Sequence, residues 1–122
     1  MRTLVTGASR GVGRAAALRL AGDHDVAVGY NESTGAAETV AETARERGAT
    51  ATAVQGDVRD ADAAAGMVES AVDGLGGLDA VVNNAGVVAP ARTPELDDDR
   101  FERVVQTNLT GAFYVTRAAV EH

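Results

Sequence analysis

A chain of 122 residues has the size of one domain and leaves no room for two. Eighteen acidic residues against 11 basic ones give a net charge of −7, which argues against general nucleic-acid binding because that needs a basic face. The absence of Cys removes disulfide frameworks and thiolate metal sites, and no apolar run approaches the ~18 residues of a membrane span. The opening Met1-Arg2-Thr3-Leu4-Val5 is followed at once by Thr6-Gly7, without the apolar stretch of a signal peptide, so a soluble cytoplasmic protein with no membrane partner is the expectation. Ala and Val dominate the apolar set, and only four residues are aromatic. Small, stiff side chains of this kind suit buried parallel strands with helices packed closely on them. Every basic residue is Arg; the chain holds no Lys and no Ile.

Short apolar runs alternate with amphipathic stretches, a pattern that predicts βα units on a parallel sheet. Leu4-Val5 ends a first strand, a Gly-rich turn follows, and a helix runs from about Gly11 to Ala21, with Gly22 as its stop. Val26 to Val28 is a second strand. Ser33 or Thr34 caps a second helix that continues to about Arg47, where Gly48 ends it. Ala51 to Gln55 is a third strand, and Asp60 caps a third helix to about Val72, with Gly74, Gly76 and Gly77 in the turn beyond. Leu78 to Val82 is a fourth strand, followed by Asn83-Asn84-Ala85-Gly86. Residues 87–96 form a loop holding both prolines, and a long helix runs from about Asp98 to the end. Right-handed crossovers between these strands predict the order 3-2-1-4, with the switch between strands 1 and 4 and with the strand-4 edge bare. The fold class is therefore α/β, a doubly wound parallel sheet of about four strands.

Four motifs lie at the C-terminal ends of these strands or in the last helix. Thr6-Gly7-Ala8-Ser9-Arg10-Gly11-Val12-Gly13 follows the first strand and opens a helix, where free N–H groups and about half a positive charge suit a pyrophosphate. Glycines let the backbone approach closely, and Gly13 would let the helix pack tightly on the strand; a plain tight turn is the competing explanation. Asp57-Val58, past the third strand, offers a carboxylate to an exocyclic amine such as adenine N6 and a backbone N–H to a ring nitrogen, though an ordinary turn Asp fits as well. Asn83 and Asn84 either tie strand ends together or form a turn only, and the small Ala85 and Gly86 leave space for a ribose. Asn108, in Thr107-Asn108-Leu109-Thr110-Gly111, interrupts a helical pattern at about 0.7 to 1 kcal/mol for each of Asn and Gly relative to Ala. That points either to a local break serving a site or to close helix packing at Gly111.

In this order and spacing, the four motifs resemble the short-chain dehydrogenase/reductase family over the whole chain, and TGASRGVG with Arg10 is most similar to its 3-oxoacyl-[acyl-carrier-protein] reductase group. The resemblance implies a dinucleotide-binding domain over residues 1–122, the N-terminal portion of a longer oxidoreductase. Such an enzyme moves a hydride between NAD(P)H and a small-molecule carbonyl or alcohol. It implies phosphate and ribose contacts from Gly7, Ser9, Arg10, Gly11, Val12 and Gly13, adenine contacts from Asp57 and Val58, and an adenosine-ribose lining from Asn83, Ala85 and Gly86. Asn108 would be the catalytic Asn that holds a water in a proton relay. It also implies a homo-oligomer, in keeping with apolar Phe101, Val104, Val105, Leu109, Phe113 and Ala119 on more than one face of the last helix.

An acidic residue ending the second strand favours NAD, because it binds both ribose hydroxyls and repels a 2′-phosphate. Here the deciding position is Tyr30 or Asn31, both neutral. Arg10 can face the phosphate, with Asn31, Ser33 and Thr34 as donors, so NADP(H) is expected over NAD(H). Glu32 turned inward would reverse that preference.

The family's Tyr-x-x-x-Lys, the general acid/base and its partner, cannot be built from these residues. Four positions after Tyr30 and Tyr114 stand Thr34 and Ala118, and there is no Lys. The family's Ser is expected on a later strand. The 122 residues alone are therefore expected to be inactive. A stand-alone dinucleotide-binding module is the alternative; a nucleotide-sugar epimerase fits less well, since those carry an acidic residue after strand 2.

Overall fold

The structure, a computed structural model, describes residues 1–122. The elements follow in the order β1 (Arg2–Val5), α1 (Gly11–Leu20), β2 (Asp25–Tyr30), α2 (Thr34–Glu46), β3 (Ala51–Gln55), α3 (Ala61–Leu75) and β4 (Ala80–Val82). A short 3-10 turn at Thr93–Glu95 precedes α4 (Asp98–Val105), a π turn (Gln106–Thr110) and α5 (Gly111–Ala119). The four strands form one parallel sheet in the order β3-β2-β1-β4, as expected. In its register Val5 faces Val28 and Val82, and Tyr30 faces Gln55, so all four strands end on one side of the molecule.

Both faces of the sheet are covered, and the two-residue period of the strands divides the core. Val5, Val26 and Val28 point to one face, where they pack with Ala17 of α1 and Ala37, Val40, Ala41 and Ala44 of α2. Leu4 and Ala27 point to the other, against Met67, Val68, Ala71 and Leu75 of α3 and Val115 of α5. Alternate residues of β1 and β2 are thus buried on opposite sides, which is why these strands read as continuous apolar runs. β4 is bonded on one edge only, and its three residues are half-buried.

Several expected boundaries shift: β2 extends to Asp25 and Tyr30 beyond the expected Val26 to Val28, and β4 begins at Ala80 rather than Leu78. The expected helix 3 ended at Val72, but α3 continues through Gly74 to Leu75 and stops at Gly76, in the left-handed region at φ +74°. Gly74 lies within the helix against Thr52 of β3, where a Cβ would come within 2.8 Å of Cγ2, so the glycine serves close packing rather than a stop. The long final helix is three segments, with the π turn between α4 and α5. Asp60 caps α3 as expected, accepting from the Ala63 N–H at 2.8 Å. Ser33 takes the cap position of α2, yet its hydroxyl makes no capping bond.

At the opposite end of the sheet, Arg2 forks onto Asp79 (Nη2 to Oδ1 2.6 Å, Nε to Oδ2 2.9 Å) and donates through Nη1 to the Gly76 carbonyl, joining β1 to the α3–β4 turn. The Arg2 guanidinium bonds hold the Asp79 carboxyl well below the usual carboxylate range. No helix is long and apolar enough to cross a membrane.

Candidate functional site

The strand ends converge on one cavity of about 430 Å3. From the turn after β1 it takes Gly7, Ser9 and Arg10; from the end of β2, Tyr30, Asn31, Glu32 and Ser33. The β3 exit adds Gly56, Asp57, Val58 and Arg59, and the β4 exit adds Asn84, Ala85, Gly86 and Val87. Nine of the residues expected from the sequence are therefore brought together: Gly7, Ser9, Arg10, Asn31, Ser33, Asp57, Val58, Ala85 and Gly86.

The turn after β1 is held from both sides. The Thr6 N–H donates to the Val82 carbonyl at 3.0 Å, and the Ala8 N–H to the Gly29 carbonyl at 2.8 Å. The buried Thr6 hydroxyl accepts from the N–H groups of Asn84 (3.1 Å) and Ala85 (3.0 Å), and the Asn84 side-chain amide donates back to the Thr6 and Gly7 carbonyls at 3.0 and 3.1 Å. Gly7 adopts φ +63°, and a Cβ on it would meet the Ala85 backbone at 2.9 Å; both conditions call for glycine. Gly13 plays a different part from the expected one. Instead of seating the helix on a strand, it lies under the Asn84 amide and the Gly7 carbonyl, where a Cβ would collide with both. α1 itself begins at Gly11 after an extended Arg10, with no side-chain cap and no acid in its first turn. Its opening N–H groups keep their partial positive charge at the cavity edge.

Gly11, Val12 and Gly13 do not line the cavity wall, and Val12 is 78% exposed. Asn83 turns away and donates to the Thr116 hydroxyl at 2.9 Å, which ties β4 to α5; Asn84 beside it does the locking at the site. Asn108 also lies outside the cavity wall. Its Oδ1 accepts from the Val87 N–H at 2.8 Å and its Nδ2 donates to the Val87 carbonyl at 3.0 Å, so the side chain clamps the loop after β4. A local break and close packing at Gly111 are both present. The break is a π turn, closed by the Gly111 N–H onto the Gln106 carbonyl, and Gly111 packs so closely on Val58 that a Cβ would lie 2.7 Å from Cγ2.

Charge is concentrated here. Three arginines (Arg10, Arg59, Arg103) and two acids (Glu32, Asp57) line the cavity, a basic balance in a chain of net −7. Glu32 does face the cavity, the condition set above for favouring NAD. Arg59 and Arg103 were not singled out from the sequence. Arg59 was in reach of a local argument, since a residue two places after a turn Asp meets its carboxylate; Arg103 was not, because only the folding of α4 against the β3 exit brings it there. Arg59 forks onto Asp57, with Nη2 to Oδ2 at 2.6 Å and Nε to Oδ1 at 3.0 Å. Those bonds, aided by the charge of Arg103, push the Asp57 carboxyl below its ordinary pKa. Arg59 is raised in turn, first by its bonds to Asp57 and further by the charge of Glu32. An adenine amine reaching Asp57 would therefore share a carboxylate already engaged by Arg59.

The family model for short chain dehydrogenases matches residues 2–122. The chain is 40% identical over 120 residues to a versicolorin reductase of Emericella nidulans, covering 98% of this chain and 46% of that protein. It is 41% identical over 111 residues to a 3-oxoacyl-[acyl-carrier-protein] reductase of Staphylococcus aureus, covering 90% and 45%. A crystal structure of a short chain dehydrogenase from Burkholderia cenocepacia in complex with NADP superposes with a TM-score of 0.94 at 37% identity, over 99% of this chain and 50% of the other. The chain thus spans about half the length of the relatives it matches. With the sheet order, the four motifs and this match in hand, the chain belongs to the short-chain dehydrogenase/reductase family.

Proposed function

We propose that residues 1–122 are the cofactor-binding portion of a longer NADP(H)-dependent oxidoreductase that interconverts a carbonyl and an alcohol. The observation that carries this reading is a cavity that gathers residues from the ends of all four strands, with a glycine turn, an uncapped helix start and a basic charge balance. The pyrophosphate rests against Gly7 and Ser9 at the cavity mouth, beside the opening turn of α1 formed by Gly11, Val12 and Gly13, with the adenine between Asp57 and Val58. The adenosine ribose lies beside Ala85 and Gly86, on the β4 exit that Asn83 ties to α5. Arg10, Asn31 and Ser33 take the 2′-phosphate, Ser33 with a hydroxyl that its helix cap does not use. The NADP in the Burkholderia relative and the reductase names of the fungal and staphylococcal relatives support the cofactor and the carbonyl chemistry.

When bound, the nicotinamide supplies or accepts the hydride; the residues of this chain bind and orient it. Asn108 takes the relay position, and the π turn around it supports that role, since such turns recur at functional sites. Its amide is committed to Val87 at both ends, which leaves the main chain of the turn to hold the relay water. The acid/base pair comes from residues outside these 122, so the chain alone turns over no substrate. The same reading includes a cytoplasmic location and self-association, the latter supported by Phe101, Leu109 and Phe113, each more than half exposed on the α4–α5 side.

NADPH titration tests this. The unmodified chain should bind it, and Gly7→Val and Gly13→Val should each weaken binding by about tenfold or more. Unchanged binding in both variants, with circular dichroism confirming the fold, would refute the reading.

A further inference from the structure

Glu32 faces the cavity where a 2′-phosphate would lie, and Asp57 lines the same wall. Two free carboxylates there would repel an added phosphate. The exits of β2 and β3 are held side by side: the Gly56 N–H donates to the Tyr30 carbonyl at 2.9 Å, and Gln55 Nε2 to the Asn31 carbonyl at 3.0 Å. That pairing brings Glu32 and the Asp57-Val58-Arg59 turn onto one wall. Arg59 delivers four hydrogen bonds to Asp57: its backbone N–H and Nε to Oδ1, both at 3.0 Å, and Nε (3.1 Å) and Nη2 (2.6 Å) to Oδ2. Both carboxylate oxygens are thereby engaged, and Nη1 has no partner within the chain.

We propose that Arg59 is a selectivity residue for the adenosine end of the cofactor: its guanidinium cancels Asp57 and offsets Glu32, so that the cavity accepts a 2′-phosphate. The proposal deepens the NADP(H) reading above and rests on it. With Arg59 in place, Arg10, Arg59 and Arg103 outnumber Glu32 and Asp57 in the cavity; without it the two signs are equal in number and both acids face the phosphate unpaired. Loss of Arg59 should accordingly act on the cofactor that carries the extra phosphate and spare the one that does not. The Arg59 side chain is 39% exposed, so water screens it and the effect is moderate.

The experiment titrates the chain with NADPH and with NADH, following the fluorescence of the reduced nicotinamide, in Arg59→Ala, Arg59→Lys, Glu32→Gln and Arg59→Ala/Glu32→Gln. Arg59→Ala should weaken NADPH about fivefold and NADH by less than about twofold. Arg59→Lys, which keeps the charge but not the fork, should stay near the unmodified chain. Glu32→Gln, which leaves the fork intact, should favour NADPH over NADH, and in the Arg59→Ala background it should restore most of the lost NADPH affinity. Equal weakening of both cofactors by Arg59→Ala would assign Arg59 to the adenine turn alone and overturn the proposal, as would no recovery in the double variant. If Arg59→Ala does not fold, an unchanged cofactor ratio in Glu32→Gln overturns it equally. Failure of the unmodified chain to bind NADPH removes the parent reading and this one together, whereas binding with an unshifted ratio removes this one alone.

Discussion

Up to Leu78 the chain buries both faces of three strands, whereas beyond it only Thr107, Gly111 and Val115 are buried. The two regions use the same vocabulary of apolar strand, turn and amphipathic helix, so the difference does not lie in their local patterns. It lies in the number of neighbours. β1 and β2 each have a strand on both sides and helices above and below, and the edge strand β3 is flanked by α2 and α3, while β4 has β1 on one edge and little else against it. The α4–α5 side leaves Phe101 at 56%, Leu109 at 68% and Phe113 at 57% exposure, and Arg117 lies over the rings of Phe113 and Tyr114 at 5.1 and 5.2 Å. The first region is thus a finished core. The second is attached to it chiefly through Val115, buried among the α3 residues, Gly111 packed on Val58, and the Thr6–Asn84–Ala85 lock.

Paired truncations give the largest contrast. Leu4→Ala, in the finished core, should cost about 3 kcal/mol in urea-melt stability, while Leu109→Ala should stay within about 0.5 kcal/mol. Similar losses at both sites would mean that the α4–α5 side is covered by a partner in solution. Next comes the lock between the regions. Thr6→Val keeps the volume but leaves the Asn84 and Ala85 N–H groups without their acceptor, for a loss of about 2 kcal/mol. Amide exchange should then quicken in β4 and the loop after it more than in β2; a uniform change would mean that the two regions unfold as one. The smallest effect concerns the far end of the sheet. Because Arg2 depresses the Asp79 carboxyl, the pair's contribution is complete above the usual carboxylate pKa and is lost as the pH falls through the depressed value. The stability gap between the unmodified chain and Asp79→Asn should therefore be constant from pH 7 to about pH 5 and narrow at lower pH. A gap that widened on acidification would contradict the ion pair.

Much of this molecule was legible before folding was considered. The third strand, Ala51–Gln55, the cap at Asp60 and the order of the four strands were read from local pattern and crossover handedness, and the structure agrees. Gly74 was misplaced because a glycine near a helix end looks like a stop; its contact with Thr52 is 22 residues away along the chain and leaves no local mark. At the site, the glycine turn and the Asp57-Val58 position were visible because each motif is contiguous. Asn84 ties the β4 and β1 ends as one of its two readings had it, whereas Arg103 and the inward Glu32 were not assigned their places, since each depends on a wall assembled from separate strand ends.

Hydrophobic periods of 2 and 3.6, turn glycines and capping acids act over a few residues, so the elements, the parallel sheet and the family resemblance could be derived from the residues in order. What faces what across the cavity is decided by strand register and helix packing. Those bring Glu32 onto the cavity wall that holds Asp57 and Arg59, set Asn84 over Gly13 and clamp Asn108 to Val87. Charge compensation and close packing are sums over groups distant in the chain, and only the folded arrangement sets their terms.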